Sequence, residues 1–472
     1  MREPSQPVDV RESPRRPTAI VIGASVTGLF AAAVLTEVAD VTIIERDALP
    51  DGPECRKGVP QARHAHLVWS GGVRAFDEIL PGLVEDIVAR GARLVPIMGD
   101  MVSRAPNEVW FRRFETTRHR NLVCSRNLLD HVLRERVLGD ARITLHEETV
   151  AAGLVGDATR ITGVRVRKDA GERILSADLV VDASGRGSQA PTWLEGLGLP
   201  RVAERRVDAG VAYATRVYKA PAATVGSFPL VNIQANPAKS PGQGGIILPV
   251  EDGRWIVTLS GTRGGEPTKD PDGFVDFALG LGDPVIGELI KGAEPLGEIA
   301  TTRSTANRRR YYEKMKAWPD GFTVLGDAVA GYNPVYGHGL TVAAQSAVTL
   351  RDLLRSTSLT APGTARRIQR ATARPVAGAW DLAVGQDVFY PGAGDTPPTA
   401  VEKFLARFVD RAVDTGARNP RALGALLDVM SLEKPASGLF GLDMLVPMLF
   451  GPKKPHLRGA PLSDAERERA LS

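Results

Sequence analysis

The sequence is poor in cysteine and has no long apolar run. Its 472 residues include only Cys55 and Cys124, and neither belongs to a C-x-x-C pair. This disfavours a disulfide framework or a zinc site and predicts a reducing, cytoplasmic location. The best candidate for a membrane span, residues 439–450, is shorter than the roughly 18 residues required and contains Asp443 and Pro447. We therefore expect no membrane span.

The chain also lacks a strong charge of either sign. It has 59 Lys and Arg against 55 Asp and Glu, a net charge of +4, and the basic residues form no long block. This balance disfavours nucleic acid as a partner. Residues 1–17 are polar and proline-rich, without the apolar core of a secretory signal, and are predicted to be a disordered leader.

Ordered structure is predicted to begin at Thr18. An apolar run, an Ala/Leu-rich helix and a second apolar run form one βαβ unit of about 30 residues. After residue 203, short strands follow one another without intervening helices, which favours an antiparallel or mixed sheet. The other predicted strands cover residues 143–145, 161–167, 179–182, 210–218, 230–235, 245–250, 254–260 and 322–328. Helices are predicted over 127–138, capped by Ser125, over 340–354, and through most of the chain after residue 360.

The βαβ unit carries a glycine turn, Gly23-Ala-Ser25-Val-Thr-Gly28, and an acid, Glu45, at the end of its second strand. The first glycine permits a tight turn, and the last allows the helix to pack closely on the sheet. A diphosphate fits the helix N-terminus, and Glu45 is placed to bind a ribose hydroxyl. Ser25 replaces the usual middle glycine. The unit therefore predicts a dinucleotide site without choosing between FAD and NAD.

Two later segments favour FAD. Residues 326–340 (GDAVAGYNPVYGHGL) follow a buried strand and lead into a long helix. Asp327 can bind a ribityl hydroxyl, while Gly337 and Gly339 leave backbone N–H groups free to approach a planar ring. The helix N-terminus would stabilise the negative charge of a reduced flavin. Residues 178–188 (DLVVDASGRGS) form another strand that ends in an acid, Asp182, and a glycine turn.

These three segments, in this order, resemble the flavoprotein monooxygenases of the para-hydroxybenzoate hydroxylase fold. The resemblance implies FAD, with Glu45 at the adenosine ribose, Asp327 at the ribityl chain, and Arg56 and Arg126 near the diphosphate. Ala183 replaces the glycine of the family's Asp-Gly motif, which weakens any role of that segment toward NAD(P)H. The expected FAD-binding residues are Gly23, Ser25, Gly28, Glu45, Arg46, Arg56, Gly58, Val59, Arg126, Asp182, Gly326, Asp327, Pro334, Gly337, His338, Gly339 and Leu340.

The expected architecture is α/β with an α+β second domain. A Rossmann-like FAD-binding domain is followed by a mixed or antiparallel-sheet substrate domain and a helical C-terminal region. The predicted boundaries are 18–90, 120–202 and 300–360 for the FAD-binding domain, 91–119 and 203–299 for the substrate domain, and 361–472 for the C-terminal region.

A closer resemblance covers nearly the whole chain. It is similar to the epoxidases of polyether ionophore pathways, such as those of lasalocid and monensin. The similarity is carried by the segments RKGVPQARHAHLVWSGG, DLVVDASGRGS, VAYATRVYKAP, EDGRWIVTLSGTRGGEP and NPVYGHGL. It implies a polyketide-derived polyene substrate, free or tethered to a carrier. Oxygen would be transferred to an alkene through a flavin 4a-hydroperoxide, with molecular oxygen as co-substrate. Electrons would come from NAD(P)H or a separate flavin reductase.

No certain catalytic side chain is expected, because the flavin carries the chemistry. Candidate ring or substrate contacts are His66, Pro334, His338, Tyr213 and Trp255. Core packing is the alternative for Tyr213 and Trp255, helix capping for His338, and a structural role for His64 and His66. No metal site is predicted, because no further ligands cluster around the H-x-H pair.

Other functions stay open. An aromatic or aliphatic hydroxylase of the same fold is the main alternative. A reductase or dehydrogenase of an isoprenoid-like chain and a non-catalytic FAD-binding redox sensor are others. A flavin halogenase is disfavoured because the tryptophans, at residues 69, 110, 193, 255, 318 and 380, form no WxWxIP segment.

Overall fold

The computed structural model describes residues 15–115, 118–303 and 305–472. Most of the predicted leader, residues 1–14, lies outside the described residues. The strands are β1 (Thr18–Ile22), β2 (Asp40–Ile44), β3 (Leu67–Val68), β4 (Arg93–Pro96), β5 (Met101–Arg104), β6 (Arg120–Val123), β7 (Ile143–His146), β8 (Val150–Gly156), β9 (Ile161–Lys168), β10 (Gly171–Ser176), β11 (Leu179–Asp182), β12 (Glu204–Val207), β13 (Ala212–Lys219), β14 (Leu230–Ile233), β15 (Gln243–Val250), β16 (Arg254–Gly261), β17 (Ala300–Thr302), β18 (Asn307–Arg310), β19 (Phe322–Val324) and β20 (Ala330–Gly331).

The helices connect these strands and make up most of the C-terminal region. They are α1 (Val26–Leu35), α2 (Ser70–Ile79), α3 (Leu83–Ala89), α4 (Arg126–Leu138), α5 (Ala190–Gly196), α6 (Pro271–Leu279), α7 (Val285–Ile290), α8 (Gly339–Ser356), α9 (Thr364–Ala371), α10 (Ala373–Asp387), α11 (Ala400–Gly416), α12 (Pro420–Met430), α13 (Leu442–Phe450) and α14 (Asp464–Leu471). Ser125 caps α4 as predicted, its Oγ accepting a hydrogen bond from the Leu128 amide.

A five-stranded parallel sheet forms the first layer, in the order β19-β11-β1-β2-β7. Its central strands are runs of buried Ala, Val and Ile, as expected when both faces are covered. Helices α1, α4 and α8 pack on one face around a core that includes Leu29, Phe30 and Leu350. The carboxyl ends of β1, β2 and β11 therefore meet at one edge, where the glycine turn lies. The predicted α/β class is confirmed.

A second, six-stranded sheet has the order β17-β13-β16-β15-β14-β5. Its pairs are antiparallel, except that β5 runs parallel to β14. Helices α6 and α7 follow β16 in sequence and pack against one face of the sheet. As predicted, the run from β13 to β16 contains no α-helix, but α6 and α7, which follow it, were not predicted from the sequence. Asp270 caps α6 by accepting a hydrogen bond from the Gly273 amide, and Pro271 occupies the first turn. Both residues favour the start of a helix, although glycines lie nearby in the sequence.

The strand predicted over 322–328 is shorter than expected. It ends at Val324, because Gly326 adopts a left-handed conformation (φ 61°) and residues 326–328 form a 3-10 turn. Helices α11, α12 and α13 pack against one another beyond the six-stranded sheet. Within the described ranges, no helix combines the length and apolar character needed to cross a membrane.

Candidate active site

The glycine turn follows β1 and begins helix α1. Gly23 has φ 103°, and a Cβ there would lie 2.7 Å from the Ala183 carbonyl oxygen. A Cβ on Gly28 would lie 1.8 Å from the Gly23 carbonyl oxygen. Both positions therefore require glycine, the first for its dihedral angle and the second for close packing of helix on strand. The N-terminal amides of α1 face the cavity described below.

Ser25, the departure from the usual glycine pattern, is held by Arg126. The Ser25 Oγ accepts a hydrogen bond of 3.1 Å from Arg126 Nη2, and Arg126 Nε donates to Asp130 Oδ1 at 2.6 Å. The hydroxyl makes no capping bond to α1, so it leaves the first amides of the helix free. Arg126 is 5% exposed and lines the cavity, which places a cation beside the anion-binding turn.

Glu45, at the end of β2, ties the turn to the following loop. Its Oε2 accepts from the Ala24 amide at 2.8 Å and from Arg56 Nη2 at 2.9 Å, while Oε1 accepts from the Asp47 amide at 3.0 Å. A carboxylate has about four acceptor positions, so these bonds leave room for one ribose hydroxyl. The Nε of Arg56 is buried without a hydrogen-bond partner.

The segment 326–340, which follows β19, borders the same cavity. The left-handed Gly326 packs against Thr27, whose Oγ1 would lie 2.4 Å from an added Cβ. This contact brings the strand end against the start of α1. The side chain of Asp327 is 42% exposed and lines the cavity, and its ionic partner is Arg186 at 3.7 Å. The Asp327 carboxylate therefore has acceptor positions open to a ligand hydroxyl.

The loop that follows is held by a buried polar network. Asn333 Oδ1 accepts from Tyr213 Oη at 3.1 Å, and Asn333 Nδ2 donates to Asp387 Oδ2 at 2.9 Å. Asp387 also accepts from Asn307 Nδ2 at 2.6 Å and from Tyr336 Oη at 2.6 Å. Burial raises the pKa of Asp387, while the three donors act to lower it. Asp387, in the C-terminal region, thus fixes a loop about 50 residues earlier in sequence.

His338 lies at the end of this loop, at the start of α8. Its Nε2 donates to the Met430 carbonyl oxygen at 3.0 Å, because a carbonyl can only accept. Burial lowers the pKa of His338 to about 4, so the ring is neutral at pH 7 and carries its proton on Nε2. Its Nδ1 is then an acceptor, and it is buried without a hydrogen-bond partner. The neighbouring Trp69 lies 6.0 Å away ring to ring and donates its indole N–H to the Tyr336 carbonyl.

The H-x-H pair also borders the cavity, and the His64 ring lies 5.9 Å from the Tyr213 ring. His64 Nδ1 is 2.8 Å from Thr215 Oγ1, which in turn is 2.7 Å from Thr258 Oγ1. His66 Nδ1 donates to the His64 carbonyl at 2.9 Å. Burial lowers the pKa of His64 to about 4 and, with Arg126 as a second cause, that of His66 to about 3. Both rings are therefore neutral at pH 7.

All these elements border one cavity of about 1740 Å³. It extends from the glycine turn, past the 333–340 loop, into an apolar chamber between the six-stranded sheet and the C-terminal helices. The chamber walls include Met98, Met101, Phe111, Ile246, Leu248, Val384, Phe408, Val409, Val413, Leu426, Leu427 and Met430. Asn232, Thr258 and Ser260 supply neutral polar groups on the sheet side.

Most of the predicted site residues border this cavity. They are Gly23, Ser25, Glu45, Arg46, Arg56, Gly58, Val59, His66, Arg126, Tyr213, Asp327, Pro334, Gly337, His338, Gly339 and Leu340. Gly28 and Gly326 shape the backbone behind it. Binding of a cofactor or substrate by any of these residues remains a prediction.

Two of the predicted site residues, Trp255 and Asp182, do not border the cavity. Trp255 is fully buried on the face of the six-stranded sheet that packs against α6 and α7, because alternate residues of β16 face opposite sides. Asp182 is buried beneath the turn after β11 and does not border the cavity. Its carboxylate accepts hydrogen bonds from Ser184 and Ser188, so it shapes that turn.

Asp387 and the chamber walls from α11 and α12 were not predicted from the sequence. One signal for Asp387 was available. It lies three and four residues after Val384 and Ala383, on the buried face of α10. A carboxylate on an apolar helix face needs donors, so it marks a buried network. The sequences of α11 and α12 contain no such signal for a cavity wall, because an apolar helix face can equally pack in a core.

His119, Asp428 and Glu433 form a group with the spacing of metal ligands, outside the cavity. Their carboxylates are already paired with cations, Asp428 with Arg118 and Lys434, and Glu433 with Arg74. The His119 Nε2 lies 3.0 Å from Asp428 Oδ1. These contacts join α12 to the start of β6. The absence of a metal site remains a prediction.

Comparisons with known proteins agree with this geometry. The family described as FAD binding domain matches residues 16–366. The chain is 32% identical to Protein Rv3254 of Mycobacterium tuberculosis over 423 residues, covering 83% of this chain and 89% of that protein.

Two solved structures share the fold at low sequence identity. The flavin-dependent brominase Bmp2 has a TM-score of 0.64 at 14% identity, over 90% of this chain and 96% of that one. The p-nitrophenol 4-monooxygenase PnpA from Pseudomonas putida DLL-E4 has a TM-score of 0.60 at 16% identity, over 88% and 98%.

Proposed function

Since this chain belongs to the FAD-binding-domain family, we propose that it is a flavin-dependent monooxygenase that epoxidises alkenes of a polyketide-derived polyene. The observation that carries the proposal is the apolar chamber that continues from the 333–340 loop. Its walls are aliphatic, thioether and phenyl side chains, which suit a long apolar substrate. The resemblance to polyether-pathway epoxidases supports the choice of an alkene within this chemical class.

The residues of the glycine turn and of the segment 326–340 fit FAD. The amides of α1 and the guanidinium groups of Arg56 and Arg126 would hold the diphosphate, with Glu45 at the adenosine ribose and Asp327 at the ribityl chain. Arg56, Arg126 and the start of α1 border the same part of the cavity, and no side chain caps α1, so donors for an anionic group are available there. When bound and reduced, FAD activates molecular oxygen and supplies one oxygen atom to the alkene.

The protein's own part is to position the substrate and exclude water. Asn333, held by Tyr213 and Asp387, fixes the loop where the chamber meets the proposed ring site. His338 is neutral and holds the end of this loop through its hydrogen bond to the Met430 carbonyl oxygen. The apolar walls keep water from the reacting centre. In the balanced reaction, the alkene gains one oxygen atom, the other leaves as water, and NAD(P)H is oxidised directly or through a flavin reductase.

A polyene oxidation assay tests this proposal. Purified protein is supplied with FAD, NADPH or a flavin reductase, oxygen and candidate polyenes. We expect yellow, FAD-loaded protein and a product heavier by one oxygen atom that gives a diol on acid hydrolysis. Phenolic products from aromatic substrates would instead support the hydroxylase alternative. Substrate-dependent bromination would support a function like that of Bmp2, since the shared fold alone does not choose between them. Protein that takes up no FAD would contradict every flavin function.

A further inference from the structure

Helix α13 exposes one apolar face. Leu442, Leu449 and Phe450 are 72%, 66% and 82% exposed. Their spacing places them together with the half-buried Val446 along one side of the helix. The opposite side carries Met444 and Met448, which pack in the core. Exposed apolar side chains in such a row mark an interaction surface rather than isolated surface residues.

Helix α11, which packs against α13, carries a second group of exposed apolar side chains. Val401, Phe404 and Leu405 of α11 are 66%, 64% and 41% exposed. Phe440, which is 47% exposed, stacks on Phe408 of α11 with ring centroids 4.5 Å apart. Both Leu405 and Phe440 also line the cavity. The mouth surface is therefore defined by these seven exposed residues: Val401, Phe404, Leu405, Phe440, Leu442, Leu449 and Phe450.

Cations flank the mouth surface. Lys403, Arg407 and Arg411 recur every four residues along α11, beside the row formed by Phe404 and Phe408. None of the three forms an ion pair within the described part of the chain. Lys453 and Lys454 follow α13. The acids of these helices are largely engaged, since Asp414 pairs with Arg418 and Asp443 with Arg421.

We infer that the mouth surface docks on the surface of anionic lipid. Apolar side chains flanked by Lys and Arg are the pattern of helices that lie in a lipid–water interface. The cations would meet anionic headgroups while Phe450 and Leu449 enter the acyl boundary. A second copy of this chain is a less suitable occupant, because a two-fold contact would bring the same cationic rows together. The cavity opens at this surface, so an apolar substrate dissolved in lipid enters without crossing water. This last reason rests on the proposed function.

Vesicle co-sedimentation of the FAD-loaded full-length chain tests the inference. Phosphatidylcholine vesicles are compared with vesicles that also contain phosphatidylglycerol, at low and high salt. We expect binding to the anionic vesicles that weakens as salt rises. Replacing Leu449 and Phe450 together by Ser should reduce the partition coefficient by about ten-fold or more, since two buried apolar side chains are lost. A second variant, Lys403→Glu with Arg407→Glu, should abolish the preference for anionic lipid.

The matched control is Ile174→Ser, which removes a side chain that is 57% exposed on β10, outside the mouth surface. It should leave vesicle binding unchanged. FAD absorbance and circular dichroism check that each variant is folded. If the Ser variant is not folded, the Lys403→Glu, Arg407→Glu variant decides the test. No vesicle binding, or binding equal in all variants, would overturn the inference. So would a dimer in sedimentation velocity that the Ser variant dissociates, which would assign the surface to a second copy. Vesicle binding needs no turnover, so a failed epoxidation assay leaves it unaffected.

Discussion

Asp387 is the residue on which the 333–340 loop depends. Its carboxylate accepts hydrogen bonds from Asn307, Asn333 and Tyr336, all within the buried network. In Asp387→Asn, one acceptor oxygen becomes a donor and faces groups that are themselves donors. Leaving one of them unsatisfied costs about 1–3 kcal/mol. We expect the FAD dissociation constant to rise by about ten-fold, since about 1.4 kcal/mol corresponds to that factor. FAD fluorescence titration measures it.

Arg374→Gln is the control for this prediction. Arg374 is on the same helix, but it is exposed and does not line the cavity. Its FAD affinity should stay at the wild-type value. Equal losses in both variants would show that Asp387 acts only through the general stability of α10.

His338 should make the stability of the folded protein depend on pH. Its pKa is lowered from 6.5 to about 4 by burial, so the unfolded chain binds more protons than the folded chain between those values. Stability is therefore full above pH 6.5 and is lost as the pH falls toward 4. From pH 7 to pH 5 the loss from this residue is about 2 kcal/mol.

The comparison variant is His338→Gln, whose amide can still donate to the Met430 carbonyl but does not titrate. The free energy of unfolding is measured with urea at pH 7 and at pH 5. Its decrease between the two pH values should be smaller in the variant than in the wild-type protein by about 2 kcal/mol. His64 and His66 titrate in both proteins and cancel in the difference. An unchanged pH dependence would mean that His338 is not kept neutral by the fold.

At the scale of elements, the glycine turn requires close contact between α1 and β1. In Gly28→Ala the added methyl would lie 1.8 Å from the Gly23 carbonyl oxygen, so α1 must move away from the turn. We expect a loss of about 1–3 kcal/mol of stability and largely FAD-free protein, measured by thermal unfolding and by the flavin-to-protein absorbance ratio. Gly196→Ala, in α5, has open space around the new methyl and should keep both values.

Features encoded by neighbouring residues could be predicted from the sequence, whereas features that depend on tertiary packing could not. The βαβ unit, the glycine turn and the Ser125 cap are encoded by neighbouring residues, so periodicity and cap chemistry identified them. Helix α6 also had a local signal, Asp270-Pro271, which the surrounding Gly and Pro residues obscured. Asp387 and Met430 act on a loop distant in sequence, and that pairing depends on tertiary packing. The sequence likewise does not show which face of β16 borders the cavity, because that depends on where α6 and α7 pack. Trp255 was therefore predicted as a possible substrate contact, although it lies on the face covered by α6 and α7.

For the whole molecule, the chamber joins three parts of the chain that are distant in sequence. The 333–340 loop forms one end, the six-stranded sheet one wall, and α11 and α12 the other. Val409 faces this chamber from α11. A larger side chain there should shorten the space open to a long substrate without touching the glycine turn or Asp387. In Val409→Phe we therefore expect unchanged FAD loading and a KM for long polyenes raised by about ten-fold, as a lost fit of about 1.4 kcal/mol implies.

Short alkenes are the internal control for Val409→Phe, because they need only the part of the chamber nearest the 333–340 loop. Their kcat/KM should stay close to that of the wild-type protein. Val401→Phe is the control variant. Val401 is on the same helix but is 66% exposed and does not line the cavity, so polyenes of every length should be processed as before. If Val409→Phe slowed short and long alkenes equally, substrate would bind elsewhere in the cavity, and α11 would serve as packing rather than as a chamber wall.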